Sequence, residues 1–143
     1  MNILNNLNEI FRVDASNNAS NEMEIAQLID FSPINVPLEY LELIREKTEM
    51  EININDKMYI RLWGASGCIE LNEAYLIQKY IPSSLAIGDN EGGDAILYAE
   101  GKNGFGIYTV AFNDLDIDEM IYISKSLVEL LVYSKGVEKL IKI

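Results

Sequence analysis

The sequence predicts a single α+β domain in which helices pack against an antiparallel β-sheet. The chain has 143 residues, a length that suits one domain with its own hydrophobic core. Segments with apolar residues at helical spacing occur beside segments in which apolar and polar residues alternate. The connections between consecutive predicted strands are short, whereas a parallel pair needs a crossover of about a dozen residues or more. Neighbouring strands are therefore expected to be antiparallel.

The first 21 residues differ in composition from the rest of the chain. Asn2–Phe11 predicts a short helix, and the Asn- and Ser-rich run Asp14–Asn21 predicts a mobile connection. We therefore separate residues 1–21 as an N-terminal segment and assign the α+β domain to residues 22–143.

Two helices are predicted at the start of the domain. Glu22–Ile29 has enough apolar residues for two turns, and the residue before Pro33 is held out of the α region. Val36–Thr48 is the clearer helix. Pro37 suits a first helical position, Glu39 lies in the electropositive first turn, and apolar residues follow at helical spacing.

A β-hairpin and a further helix are predicted next. Glu51–Asn55 and Met58–Trp63 both alternate apolar and polar residues, which is typical of strands joined by a tight turn. Gly64–Gly67 interrupts this pattern. Asn72 is a good helix cap, so a helix is predicted from there to about Tyr80.

The remaining sequence predicts three strands and a long helix. The strands are short apolar runs bounded by Gly-rich turns: Ser84–Ile87, Ala95–Ala99 and Phe105–Phe112. Asp116 and Glu119 have the spacing of a capping box, and apolar residues follow every three or four positions. A helix is therefore predicted from Asp116 to about Gly136.

The composition excludes several classes of active site. The chain has one Cys and no His, so it has no internal disulfide and no His-containing zinc site. The Ser-His-Asp and Cys-His arrangements are also excluded, because both need an imidazole to accept a proton from the nucleophile. We expect a protein that is not an enzyme and that has no catalytic residues, no metal site and no cofactor.

Charge and hydropathy restrict the partners. There are 23 Asp plus Glu against 11 Lys plus Arg, a formal charge of −12, and Asp89–Glu119 alone holds eight acids and one base. This balance is unfavourable for binding nucleic acid, but it suits a basic protein partner or simply keeps a small protein in solution. The N-terminus has neither the basic start nor the apolar core of a signal peptide, and the apolar run Met120–Leu131 is interrupted by polar residues. We expect a cytoplasmic protein that does not bind membranes.

Five segments, in order along the chain, resemble the SMI1/KNR4 family of the SUKH superfamily. Leu85–Asp94, with its Ile-Gly-x-x-x-Gly-Gly-Asp pattern, is the most specific of them. The five segments are Pro37–Ile44, Leu62–Gly64, Leu71–Pro82, Leu85–Asp94 and Ile107–Val110. One departure is Thr48–Glu51, which stands where the family usually has an Asn-Gly-Gly-like turn.

The resemblance implies one α+β domain with an antiparallel sheet, and no cofactor or catalytic residues. Bacterial members of the family are associated with immunity proteins that neutralise toxin domains, often nucleases, and fungal members with regulators of cell-wall assembly. The resemblance therefore implies a bacterial-type immunity protein that masks the basic surface of a cognate toxin domain. The alternative is a regulatory or scaffolding module that binds a protein partner without blocking a toxin. The sequence leaves the oligomeric state open.

Five residues are candidates for contact with a partner. Asp89 and Glu91 lie in the Gly-rich loop between two predicted strands, where they either contact a partner or stabilise the turn. Asp114 and Asp118 flank the predicted capping box, where carboxylates also stabilise a helix N-terminus. Trp63 ends a predicted strand and is either an interface anchor or a residue of the sheet core.

Overall fold

The protein forms one antiparallel sheet of seven strands, which follow one another in the sheet in the same order as in the sequence. The structure is a computed structural model and describes residues 1–141. The strands are β1 (Phe11–Asn18), β2 (Lys47–Ile54), β3 (Met58–Leu62), β4 (Ser84–Asp89), β5 (Asp94–Gly101), β6 (Gly104–Ala111) and β7 (Ile121–Ser124). Every neighbouring pair is antiparallel. The predicted α+β class and the antiparallel sheet are therefore confirmed.

Short helices pack around this sheet. They are α1 (Glu22–Phe31), α2 (Leu38–Ile44), α3 (Ala65–Ala74), α4 (Ile77–Tyr80) and α5 (Val137–Leu140), together with 3₁₀ helices at Leu4–Asn6 and Ile117–Glu119 and a π-helix at Val128–Val132. The two helices predicted at the start of the domain are present as α1 and α2. The second is shorter than predicted, because the chain from Lys47 onward pairs with its neighbours as β2. Within residues 1–141, no helix has the length and apolar character needed to cross a bilayer.

The middle of the sheet is covered on both faces. Side chains alternate between the two faces of a strand, yet all six residues of Asp94–Ala99 are buried. β4 is likewise buried from Ser84 to Gly88. In contrast, β1 is exposed over most of its length, as expected for an edge strand. The core therefore lies around β4, β5 and β6, and the strands before them have a face in solvent.

The N-terminal segment differs from the prediction. Instead of a helix over Asn2–Phe11, there is one 3₁₀ turn at Leu4–Asn6, and the predicted mobile connection Asp14–Asn21 lies largely within β1. Asn and Ser have a weak intrinsic preference for strands, but β2 supplies backbone partners for this segment. The Thr48 hydroxyl adds a hydrogen bond to the Asn18 carbonyl, at 2.6 Å.

The helix predicted to start at Asn72 starts earlier. α3 begins at Ala65, and Asn72 lies inside it with its side chain fully buried. Its amide nitrogen donates to the carbonyls of Cys68 (2.7 Å) and Ala86 (2.8 Å), and its amide oxygen accepts the Ala86 N–H at 3.0 Å. The Asn72 side chain thus bonds to the backbone of Ala86 in β4 as a neighbouring strand would, at a position that β3 does not reach.

The prediction of a long helix from Asp116 to about Gly136 is also wrong. Asp116 accepts a hydrogen bond from the Asp118 N–H at 2.9 Å and caps only the 3₁₀ turn Ile117–Glu119. The next residues form β7, which pairs with β6, and the chain returns to helical geometry at Val128. Apolar residues three or four positions apart fit a helix, but the free edge of β6 offers backbone partners to Ile121–Ser124.

Candidate functional site

Two acidic loops meet at one edge of the sheet, the edge formed by the ends of its strands rather than by an edge strand. In an antiparallel sheet with sequential strand order, alternate connections lie at the same ends of the strands. Residues 90–93 join β4 to β5, and residues 112–120 join β6 to β7. The Phe112 N–H donates to the Gly93 carbonyl at 2.9 Å, which fixes the two loops side by side. We define the acidic rim as six carboxylates, one at the end of β4 and five in these loops: Asp89, Glu91, Asp114, Asp116, Asp118 and Glu119.

The carboxylate of Asp89 is held in position by a hydrogen bond from the Trp63 side chain. The indole Nε1–H donates to Asp89 Oδ2 at 3.0 Å, while Oδ1 accepts the Glu91 N–H at 2.8 Å. Trp63 itself is 1% exposed and belongs to the core. In this structure its ring is therefore not available as an interface anchor. Trp63 instead contributes to the acidic rim by orienting the Asp89 carboxylate.

The loop that presents Glu91 is stabilised by its own side chains. The Asn90 amide oxygen accepts the N–H groups of Gly92 (2.9 Å) and Asp94 (3.0 Å), and its amide nitrogen donates to Asp94 Oδ2 at 3.0 Å. Glu91 has φ = 55°, a left-handed conformation that costs a non-glycine residue about 1 kcal/mol or more. Because Asn90 and Asp94 determine the turn, the Glu91 side chain is left exposed to solvent.

Arg61 is a cation beside the acidic rim. It lies opposite Asp89 in the pairing of β3 with β4, and its guanidinium forms an ion pair with Glu51. The pKa of Arg61 is raised, chiefly by the hydrogen bond to Glu51 and further by the charges of Glu91 and Asp89. Arg61 therefore offsets part of the negative charge at the β4–β5 loop, and the charge of the six-carboxylate rim stays negative.

The second loop adds exposed carboxylates. Asp114, Asp116, Asp118 and Glu119 are all exposed, and the turn begins with a hydrogen bond from the Asp114 N–H to the Ala111 carbonyl at 3.1 Å. The structure thus brings Asp89, Glu91 and Asp114 to one edge of the sheet, with Asp118 further along the same loop. Nearby like charges repel one another, so a cationic partner would relieve this repulsion.

Sequence analysis missed an aromatic pair at this edge. The Tyr75 ring, at the C-terminal end of α3, stacks on the Phe112 ring with centroids 4.2 Å apart and an interplanar angle of 29°. Tyr75 is 43% exposed, and Phe112 is half-buried. The available signal was that Phe112 directly follows a strand and precedes Asn113 and Asp114. Its partner Tyr75 lies at the end of α3, a helix that the sequence predicted to start at Asn72 rather than at Ala65.

A depression of about 400 Å³, separate from the acidic rim, lies at the N-terminus of α3. Glu49 Oε2 accepts the Gly64 N–H at 2.7 Å, and Ser20 Oγ accepts the Ala65 N–H at 3.0 Å. A helix N-terminus attracts anions, but here a carboxylate of the chain itself occupies that position. This depression is therefore less suited to an external anion than its location suggests.

The single Cys is buried and protonated. Burial raises the pKa of Cys68 to about 12, and its thiol donates to the Ala86 carbonyl at 3.1 Å. Such a thiol is a poor nucleophile, because the reactive form is the thiolate. Within the described residues 1–141, no group of three or more His, Cys, Asp or Glu side chains has an arrangement that suits a metal ion.

Comparison with known proteins adds no assignment. No family model matches the chain, and no match to a curated protein was found.

Proposed function

We propose that this protein is a non-catalytic binding protein of the SMI1/KNR4 type, an immunity protein that neutralises a toxin domain by covering its basic surface with the acidic rim. The observation that supports the proposal is the meeting of two acidic loops at one edge of the sheet, fixed by the hydrogen bond from Phe112 to Gly93. The buried and protonated Cys68 and the absence of His in the sequence favour binding over catalysis.

The proposed mechanism is electrostatic and steric. A nuclease binds phosphate groups with Lys and Arg, so its substrate surface is basic. The carboxylates of the acidic rim would occupy the positions of the phosphates and accelerate association to roughly 10⁸ M⁻¹s⁻¹ at low salt. Contacts made after encounter would set the dissociation rate. A cytoplasmic protein with this surface would protect the cell that makes the toxin.

The resemblance of five segments to the SMI1/KNR4 family supports a toxin as the partner. Four of these segments form elements next to the rim or below it. Leu85–Asp94 forms β4 and the first acidic loop, and Leu62–Gly64 includes the Trp63 that orients Asp89. Leu71–Pro82 includes Tyr75, and Ile107–Val110 is the part of β6 that precedes Phe112. The proposed SUKH-type fold and the proposed binding edge thus involve the same residues.

The test is co-expression with the toxin-like domain encoded beside the gene, followed by association kinetics with the purified domain at low and high salt. The rim variant is Glu91→Gln/Asp114→Asn/Asp118→Asn. The matched control, Glu9→Gln/Asp30→Asn/Glu42→Gln, removes the same charge from exposed residues outside the rim. Asp89 is left unchanged, because its bond to Trp63 contributes to folding.

We expect the unmodified protein to restore growth and to form a one-to-one complex. The rim variant should associate at least about tenfold more slowly at low salt, since steering depends on charge near the contact, and the control should lose much less. Equal rates for the rim variant and the control would contradict the assignment of the binding edge. A complex in which the toxin domain stays active would favour the regulatory or scaffolding module instead.

A further inference from the structure

The aromatic pair Tyr75–Phe112 is a partly exposed apolar surface beside the loops that carry the acidic rim. The Gly93 carbonyl that accepts the Phe112 N–H lies two residues after Glu91, and Asp114 lies two residues after Phe112. Phe112 thus lies on the loop that carries Asp114, and its backbone is bonded to the loop that carries Glu91. Leu76, which directly follows Tyr75, is also exposed and extends the apolar surface.

Two other rings of the protein have a cation near them, the exposed Tyr80 and the half-buried Tyr122. The Lys79 ammonium lies 5.5 Å from the centroid of the Tyr80 ring, and the Lys139 ammonium lies 5.5 Å from that of Tyr122. In the part of the chain that the structure describes, no Lys or Arg lies over Tyr75 or Phe112. The aromatic pair therefore presents π-electron density beside carboxylates, without a cation from its own chain.

We propose that the aromatic pair is the docking point for an arginine side chain on the surface of the basic partner. This inference rests on the proposed function and specifies the chemistry of the contact. A guanidinium stacks flat on an aromatic ring and still donates hydrogen bonds from its edge, so it satisfies the rings and a flanking carboxylate together. The compact, strongly hydrated ammonium of lysine loses more of its hydration on an apolar surface and has no planar face to stack.

Charge complementarity selects this occupant over an apolar segment. An aliphatic side chain docked on Tyr75 would remove water from any neighbouring rim carboxylate that it covers, without replacing the lost hydrogen bonds. A second copy of this acidic chain would place carboxylate against carboxylate. An arginine avoids both costs. The aromatic pair would then act after the rim has steered the partner, as the short-range contact that slows dissociation.

The experiment uses two probes of equal charge, a nona-arginine and a nona-lysine peptide. Each is titrated into the full chain at low salt, and binding is followed by the backbone amide shifts in NMR spectra. Tyr75→Leu keeps apolar cover over Phe112 but removes the ring. Tyr133→Leu is the matched control, because Tyr133 is an exposed tyrosine in the C-terminal segment, outside the rim. Phe112→Leu is a second variant, and thermal unfolding of all three checks their folding.

We expect the arginine peptide to bind about threefold to fivefold more tightly than the lysine peptide, which is the size of an exposed cation–π contact. Tyr75→Leu should abolish this preference, Phe112→Leu should reduce it, and Tyr133→Leu should keep it. Equal affinities for the two peptides, a preference that survives in a folded Tyr75→Leu variant, or no binding of either peptide would each overturn the inference.

The outcome separates this inference from the proposed function. The charge variant of the rim should weaken the binding of both peptides, and that of the arginine peptide more, because it removes the carboxylates of Glu91 and Asp114. If the toxin domain is neutralised but the arginine preference is absent, the arginine docking point is wrong and the immunity function stands. If the preference is present but the toxin domain is not bound, the proposed function is wrong and the docking point stands.

Discussion

Glu39 is the side chain whose replacement should destabilise the fold most clearly. It lies in the first turn of α2, and its carboxylate accepts three hydrogen bonds from distant parts of the chain. The donors are the Tyr98 hydroxyl (2.7 Å), the Leu127 N–H (2.7 Å) and the Val128 N–H (3.1 Å). Burial, and next the charge of Glu39, raise the pKa of Tyr98 well above its usual value, so the phenol stays protonated and remains a donor.

The expected loss follows from these three bonds. A hydrogen bond to a charged group stabilises a protein by about 1.5–3 kcal/mol, and bonds in one network are not additive. Glu39→Gln keeps an oxygen for some of the donors but turns an NH₂ group toward the others, so it should cost about 2–4 kcal/mol. Glu39→Ala removes the acceptor of all three bonds and should cost about 3–5 kcal/mol, more than one such bond but less than the sum of three.

Urea unfolding of the full chain measures these losses. Glu42→Gln, on the same helix and exposed, is the control and should change stability by no more than about 0.5 kcal/mol. Tyr98→Phe, combined with Glu39→Gln in a double-mutant cycle, isolates the phenol bond. If Glu39→Gln and Glu42→Gln unfold at the same urea concentration with equal slopes, the assigned role of Glu39 is refuted.

Two further predictions concern α3. Asn72→Asp should lower the free energy of unfolding by about 3 kcal/mol or more, because it removes the donor to two carbonyls and places a carboxylate beside them. Thermal unfolding measures this loss. A midpoint equal to that of the unmodified protein would contradict the pairing of Asn72 with Ala86. For Cys68, burial raises the pKa from 9.0 in the unfolded chain to about 12 in the fold, so its contribution to stability is complete below about pH 9 and is lost as the pH rises toward 12. Urea unfolding across this range should show a smaller loss in Cys68→Ala than in the unmodified protein, and equal losses would count against the raised pKa.

The hairpins of the sheet were predictable because their signals are local. Alternating residues on both sides of a short turn identified β2 with β3, and short runs between glycines identified β4, β5 and β6. These segments pair with their neighbours in the chain, so no distant contact is needed to select the strand conformation.

The elements that were wrong depend on tertiary contacts that the local sequence pattern does not report. β1 forms in an Asn-rich segment because β2, some thirty residues later, supplies its backbone bonds. β7 forms from a helix-like pattern because β6 has an edge without another strand. Asn72 is chemically a good cap, and its burial against Ala86 depends on how α3 crosses the end of β3. In each case tertiary contacts override the local preference.

The candidate site was predictable in composition but not in arrangement. The acids of both loops were identified from their positions between predicted strands. Their meeting follows from the sheet order, which also places Trp63 beneath Asp89 rather than at the surface. The pairing of Tyr75 with Phe112 joins a helix end to a strand end, and no sequence period reports such a contact.

The sequential strand order also has a consequence for how the chain reaches its fold. Since each strand pairs with the one before it, each pair can form as soon as its second strand has left the ribosome. Loop closure costs least entropy for the short connections from β2 to β3, from β4 to β5 and from β5 to β6. Contacts that join the chain ends are different. Two such contacts are the bonds from the Leu127 and Val128 N–H groups to the Glu39 carboxylate, and a third is the bond from the Asn8 N–H to the Leu131 carbonyl at 2.8 Å. All three must wait for the last segment to be synthesised. We therefore expect the sheet to assemble from one edge to the other during translation, with the joining of the chain ends as the final step of folding.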